Sequence, residues 1–139
     1  IYLSGLAIGI VLHWFSPMPF LPEYVTFPLG VAIIVISVVL VVSAISAFVK
    51  AKTNIDVRKP TTSIVVTGPY RFTRNPIYLS MTLLVLGIAV WMDESWILVT
   101  LLPVLMLIRF GVIAREEAYL TKKFGTEYIQ YKSKVRRWL

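Results

Sequence analysis

The stretch VTFPLGVAIIVISVVLVVSAISAFV, from Val25 to Val49, contains no charged side chain. At ~1.5 Å of rise per residue it reaches beyond a bilayer core of roughly 30 Å, so it predicts a tilted transmembrane helix. Three further apolar runs flank it. The first covers Ile1 to Phe15 and is closed by Pro17, Pro19 and Pro22; the others cover Pro76 to Met92 and Ser95 to Ile113. Met92-Asp93-Glu94-Ser95 is short enough to be a tight turn, so the last two runs form an antiparallel hairpin. Pro103 lacks an N–H and is expected to kink the fourth run. The reading is an all-α polytopic transmembrane protein of about four spans (1–15, 25–49, 76–92 and 95–113). It forms one domain over 1–139, with a polar helical tail over 114–139.

Composition agrees with this. Apolar residues make up 58% of the chain and charged residues 15%, whereas a soluble domain carries about 25% charged residues. No basic stretch precedes the first apolar run, so no signal peptide is expected. Cysteine is absent and there is one histidine. Disulfides, thiolate zinc sites, cysteine nucleophiles and histidine metal clusters are therefore excluded, and no metal is expected.

The net charge of +7 invites a nucleic-acid reading, but the placement of the charges opposes it. Lys50, Lys52, Arg58, Lys59, Arg71 and Arg74 lie in the loop between the second and third spans. Arg109 ends the fourth, and Arg115, Lys122, Lys123, Lys132, Lys134, Arg136 and Arg137 lie in the tail. With four spans, all of these fall on one side, and the opposite turns carry Glu23, Asp93 and Glu94. The positive-inside rule makes that side cytoplasmic, with both termini there. The basic residues then face anionic lipid headgroups rather than nucleic acid. Gly125, after Phe124, is expected to break the tail as a helix C-cap. A short helix from Thr126 would present Tyr128, Ile129, Tyr131 and Val135, with Trp138 and Leu139 at the interface. His13 beside Trp14 reads as an interface residue, and Ser80 and Gly87 as close-packing positions.

Two stretches carry chemical interest. In Thr67-Gly68-Pro69-Tyr70-Arg71-Phe72-Thr73-Arg74-Asn75-Pro76-Ile77-Tyr78, Gly68-Pro69 is a turn. Asn75-Pro76 is a helix start, with Asn as N-cap and Pro at the first helical position. Free N–H groups there, beside Arg71 and Arg74, form a site for a carboxylate or phosphate, unless Asn75 only caps and the arginines only anchor to lipid. In Arg115-Glu116-Glu117-Ala118-Tyr119, acidic residues end an apolar helix, where the macrodipole disfavours them. They await a cationic partner, or pair simply with Lys122 or Lys123. Arg109 and Glu116 are seven apart and share a helix face.

Together the two stretches resemble a known pattern. Gly68-Pro69-Tyr70-Arg71 through Arg74-Asn75-Pro76 to Tyr78, then Glu116-Glu117-Ala118-Tyr119-Leu120 through Phe124-Gly125 to Tyr128 and Tyr131, is similar to the membrane methyltransferases. These include isoprenylcysteine carboxyl methyltransferase and the phospholipid N-methyltransferases. The resemblance covers roughly Thr53 to Arg137. It implies an S-adenosylmethionine site, with Thr62, Ser63, Ile64 and Val65 holding the cofactor by backbone contacts. Tyr70, Asn75, Pro76, Ile77 and Tyr78 would line its pocket and Glu116 would bind it from the other side. Isoprenylcysteine enzymes usually have His at the position of Asn75, where many bacterial relatives have Asn. Their substrate-binding Arg falls near Val112, and Arg109, one turn earlier, is the candidate substrate contact here. No catalytic residue is assigned. The implied activity is methyl transfer to a lipid or lipid-like acceptor, a prenylcysteine carboxylate or a lipid amine, at the inner face of a bacterial or archaeal cytoplasmic membrane.

Two other readings compete. A membrane reductase of the sterol reductase type would use NADPH, but the chain is short for one and its tail lacks the expected Cys and Trp pattern. A scaffold or small-solute channel would need no cofactor, but a channel places polar residues deep in its spans, and these spans have almost none.

Overall fold

The computed structural model describes residues 1–52 and 62–138. Arg58, Lys59 and Leu139, which the topology and interface readings used, lie outside the described residues. The helices are α1 (Tyr2–Phe15), α2 (Glu23–Lys50), α3 (Pro76–Trp91), α4 (Ser95–Met106), α5 (Ala114–Phe124) and α6 (Thr126–Lys134). A 3₁₀ turn occupies Gly68–Arg71, and a π-helical segment, Leu107–Ile113, joins α4 to α5 without a break. No strand is present among the described residues.

Two helices, Glu23–Lys50 and the continuous Ser95–Phe124, are long and apolar enough to cross a membrane. The central helix of a soluble protein passes the same test but is mostly buried. Here only 17% and 28% of the most apolar windows are buried, so most of their apolar surface faces outward and requires an apolar solvent. The first and third runs form shorter apolar helices.

Helix α2 packs along α3, α1 packs along α4, and α3 also touches α4 and α1, whereas α2 and α4 touch at most slightly. The close approach of α2 and α3 depends on glycine. A Cβ on Gly30 would lie 2.6 Å from the Trp91 backbone nitrogen, and one on Gly87 would lie 3.1 Å from the Gly30 carbonyl oxygen. Nearby, Ser37 Oγ donates to the Ser80 carbonyl at 2.7 Å. Gly87 and Ser80 are thus close-packing positions, as expected.

At the end of the bundle that carries the 92–95 turn, the polar groups are joined in pairs. Asp93 stands at φ 52, a left-handed conformation that Asp tolerates better than most residues. Its carboxylate accepts from the Phe20 and Leu21 backbone N–H groups, each at 2.9 Å. Glu94, fully buried, caps α4 by accepting from Trp96 N–H and bonds the His13 ring. His13 is therefore not a free interface residue. A buried carboxylate one helix away needs a partner, and His13 supplies it.

Two further expectations are corrected. Pro103 lies within α4, and the winding widens after it, at Leu107–Ile113. The wider winding there also breaks the seven-residue phase that would set Arg109 over Glu116. Trp138 is not left at the interface; it is partly buried against the apolar cluster that includes Ile108 and Ile113, because the tail folds back onto the bundle. Gly125 behaves as expected: it breaks the tail at φ 53, where a side chain would be strained.

Candidate functional site

The opposite end of the bundle holds a cavity. Its walls come from the end of α2 (Phe48), the segment Ser63–Val65, the 3₁₀ turn (Tyr70), and the start of α3 with the residues before it (Arg74, Asn75, Ile77, Tyr78). Glu116, Glu117 and Leu120 of α5 and Tyr128 and Tyr131 of α6 complete the lining.

Local sequence explains how these side chains are aimed. Gly68, at φ 60, and Pro69 turn the chain so that Tyr70 enters the wall, its ring meeting Phe48 edge-on at 5.4 Å. Pro76 occupies the first turn of α3, where its missing N–H costs nothing. Asn75 is the N-cap residue, but its side chain makes no capping bond. Its amide nitrogen instead donates to the Arg137 carbonyl at 2.8 Å, so the expected side-chain cap is corrected to a tether for the tail. The tether is reinforced: Arg74 N–H donates to the Arg136 carbonyl at 2.9 Å and Thr73 Oγ1 to the Arg137 carbonyl at 3.2 Å. The last residues thereby lie across the loop that precedes α3. Tyr128 and Tyr131, three apart on α6, are brought to the cavity by this return, and Tyr131 OH donates to the Tyr70 carbonyl at 2.8 Å.

Two adjacent glutamates end up in opposite environments. Glu117 is gripped by Arg137 through two bonds, at 3.0 and 2.7 Å, and lies 3.0 Å from Arg74 and 3.8 Å from Lys132. Burial pushes its carboxyl up, but the Arg137 bond and the surrounding cations outweigh burial and hold it below the usual carboxylate range. The expected pairing with Lys122 or Lys123 is thus replaced by partners from other elements. The carboxylate foreseen beside Arg74 is the chain's own. Glu116 has no Lys or Arg partner among the described residues. Its carboxylate accepts from Tyr78 OH at 3.2 Å, and burial pushes its pKa up despite that bond. Burial likewise raises the Tyr70 and Tyr131 phenols, which remain neutral donors at ordinary pH.

Of the residues singled out from the sequence, Ser63, Ile64, Val65, Tyr70, Asn75, Ile77, Tyr78 and Glu116 meet on this one cavity. Pro76 is buried behind it. Thr62 is exposed beside it, its hydroxyl 3.5 Å from the Lys52 carbonyl. Arg109 is exposed on the π segment, its guanidinium 5.4 Å from the Phe110 ring centre, and is not part of the lining. Sequence reasoning assigned no cavity role to Phe48, Leu120, Tyr128 or Tyr131; it read Arg74 beside an anion site and Glu117 as awaiting a cation. The three-residue spacing of the two tyrosines was the available signal for those two. A half-buried carboxylate without a cation among the described residues, apolar and aromatic walls, and phenol donors fit an organic cation. No group of three or more His, Cys, Asp or Glu residues able to hold a metal occurs among the described residues.

Comparison with known proteins bears on this arrangement. The model of a protein family described as "Phospholipid methyltransferase" matches residues 25–127. An uncharacterized protein of Haemophilus influenzae is 44% identical over 63 residues, which is 45% of this chain and 100% of that protein. No solved structure matches.

Proposed function

Because the chain belongs to the phospholipid methyltransferase family, we propose that it transfers a methyl group from S-adenosylmethionine to a lipid or lipid-like acceptor, and that the cavity beneath α2 and α3 is where it does so. The observation that carries this reading is Glu116: a half-buried carboxylate on an aromatic-walled cavity, with no basic partner among the described residues. Such a group stays charged at low cost only when a cation joins it. S-adenosylmethionine is such a cation, and when bound it supplies a methyl group on a sulfonium that leaves as a neutral thioether.

The chain's own residues then have a limited task. No leaving-group acid is needed, so holding donor and acceptor in line supplies most of the rate. Phe48, Ile77 and Leu120 give apolar walls that exclude water, and Glu116 balances charge. A carboxylate acceptor needs no base, whereas an amine must first lose a proton. Glu117 is committed to its arginines, so an amine would release its proton to Glu116 or to water.

The same reading fixes a topology of four spans, with the cavity at the cytoplasmic face. The basic residues at the cavity end and the acidic turns at the other favour it. The polar donor then enters from the cytoplasm. The acceptor enters sideways from the bilayer between the inner ends of α2 and α4, which touch at most slightly. Leaving the bilayer would cost it about 0.8 kcal/mol per exposed CH₂.

The test is incubation of the purified protein with methyl-labelled S-adenosylmethionine and a membrane lipid extract, followed by chromatography of the lipids. Label in a lipid fraction is expected. Its absence, together with no measurable binding of the donor, would defeat the reading.

A further inference from the structure

Arg74 is the least satisfied polar side chain on the cavity wall. It is 9% exposed, and neither Nε nor Nη1 has a hydrogen aligned on an acceptor. Its Nη1 lies 3.0 Å from Glu117 Oε1, a charge contact in which no hydrogen is aligned on the carboxylate. Arg137 reaches both Glu117 oxygens in the two-bond manner that suits guanidinium and carboxylate, and Lys132 adds a third cation at 3.8 Å. Three cations thus surround one carboxylate. A buried guanidinium left with spare donors costs stability unless something else satisfies it.

The cavity therefore has two complementary poles: Glu116, an anion without a cation, and Arg74, a cation with donors to spare. A ligand that satisfies both carries a positive and a negative group on one short frame. We infer that Arg74 and Glu116 form a bipolar cradle for an α-amino-acid group, with the carboxylate on the Arg74 guanidinium and the ammonium on Glu116. This rests on the methyl-donor reading above and goes further, because it states which end of the donor lies between α5 and the loop before α3. The methionine end sits there, leaving the apolar wall near Phe48 and Val65 for the adenosine. A lipid phosphate is the competing anion. Arg74 is held to the returning tail through its N–H on the Arg136 carbonyl, and its guanidinium meets Glu117 with the side chain only 9% exposed. That position favours the small polar ligand.

The cradle can be tested on the unaltered full chain in detergent micelles, by calorimetric titration with three ligands. These are S-adenosylhomocysteine, its decarboxylated analogue, and 5′-deoxy-5′-methylthioadenosine, which lacks both charged groups. Removing the carboxylate is expected to weaken binding about tenfold or more, and removing both groups to weaken it further. Arg74→Gln should weaken S-adenosylhomocysteine by the same factor as decarboxylation and leave the decarboxylated analogue unchanged. Equal affinities of the unaltered chain for S-adenosylhomocysteine and its decarboxylated analogue would overturn the cradle and leave the donor reading standing. This arm needs no variant to fold. Failure of all three ligands to bind would overturn the donor reading and the cradle with it. An Arg74→Gln protein that binds S-adenosylhomocysteine normally but loses affinity for phospholipid would assign Arg74 to the acceptor and also overturn the cradle.

Discussion

The two ends of the helix bundle treat buried charge in opposite ways. At the end with the 92–95 turn, Glu94 is matched by His13 and by the first turn of α4, and Asp93 by two backbone N–H groups. Among the described residues, no buried charge there awaits a partner. At the cavity end, Glu116 lacks a cation among the described residues and Arg74 keeps unaligned donors. A closed polar joint holds helices in place, whereas an incomplete one leaves binding capacity. The contrast makes the cavity end the candidate for function without reference to any relative.

The contrast breaks most directly at Glu116. Glu116→Gln keeps the shape and the Tyr78 contact but removes the charge. Donor affinity measured by calorimetry is expected to fall on the order of tenfold to a hundredfold, with thermal unfolding little changed. pH sharpens the test. The folded-state pKa of Glu116 is raised by burial, and only its ionised form attracts a cation. Donor binding should therefore be complete at high pH and weaken as pH falls through that raised value, at a pH above the ordinary glutamate pKa of about 4.3. In Glu116→Gln the pH dependence should vanish. A variant that binds as tightly as the parent, or keeps the same pH profile, removes Glu116 from the site.

The opposite response is expected at the closed end. Glu94→Ala removes the cap of α4 and strands His13. It should lower unfolding stability by about 2 kcal/mol in a denaturant titration while leaving donor affinity unaltered. A loss of donor affinity without a loss of stability would mean that the two ends are coupled and that the division drawn here is wrong.

The helices and the residues of the cavity were largely legible in the sequence, for different reasons. Val25–Val49 is uncharged over a length that little but a membrane helix requires, and Gly125 and the 92–95 turn have strong local signatures. The π segment was not legible. Ile108, Ile113 and Glu117 are buried at steps of five and four, and the step of five marks the change in winding. In a helix that is apolar all round, however, the buried face cannot be told from the lipid face by hydrophobic period. The partnership of Asn75 and Arg137 was hidden for another reason. It joins residues 62 positions apart through a returning tail whose course depends on Trp138 finding the apolar cluster. Glu117 was read with lysines near it in sequence, and tertiary structure supplied Arg74 and Arg137 instead.

The smallest expected effect is at Arg109, which lies between the two regions in character. It is a cation outside the cavity, on the exposed side of the π segment. Its stacking on Phe110 accounts for its position without any ligand. Yet π segments gather at functional sites, and this one runs directly into the helix that carries Glu116. If Arg109 meets the headgroup of an acceptor arriving between α2 and α4, Arg109→Ala should raise the acceptor KM a few-fold, since one exposed charge contact contributes about 1 kcal/mol or less. Donor affinity and kcat should not move, because the residue is outside the cavity and takes no part in the transfer. The loss should shrink as salt rises, as the contact of an exposed cation is screened. Unchanged kinetics at all salt concentrations would make Arg109 a lipid anchor only, and the acceptor path would then have to be sought along the apolar surfaces of α2 and α4.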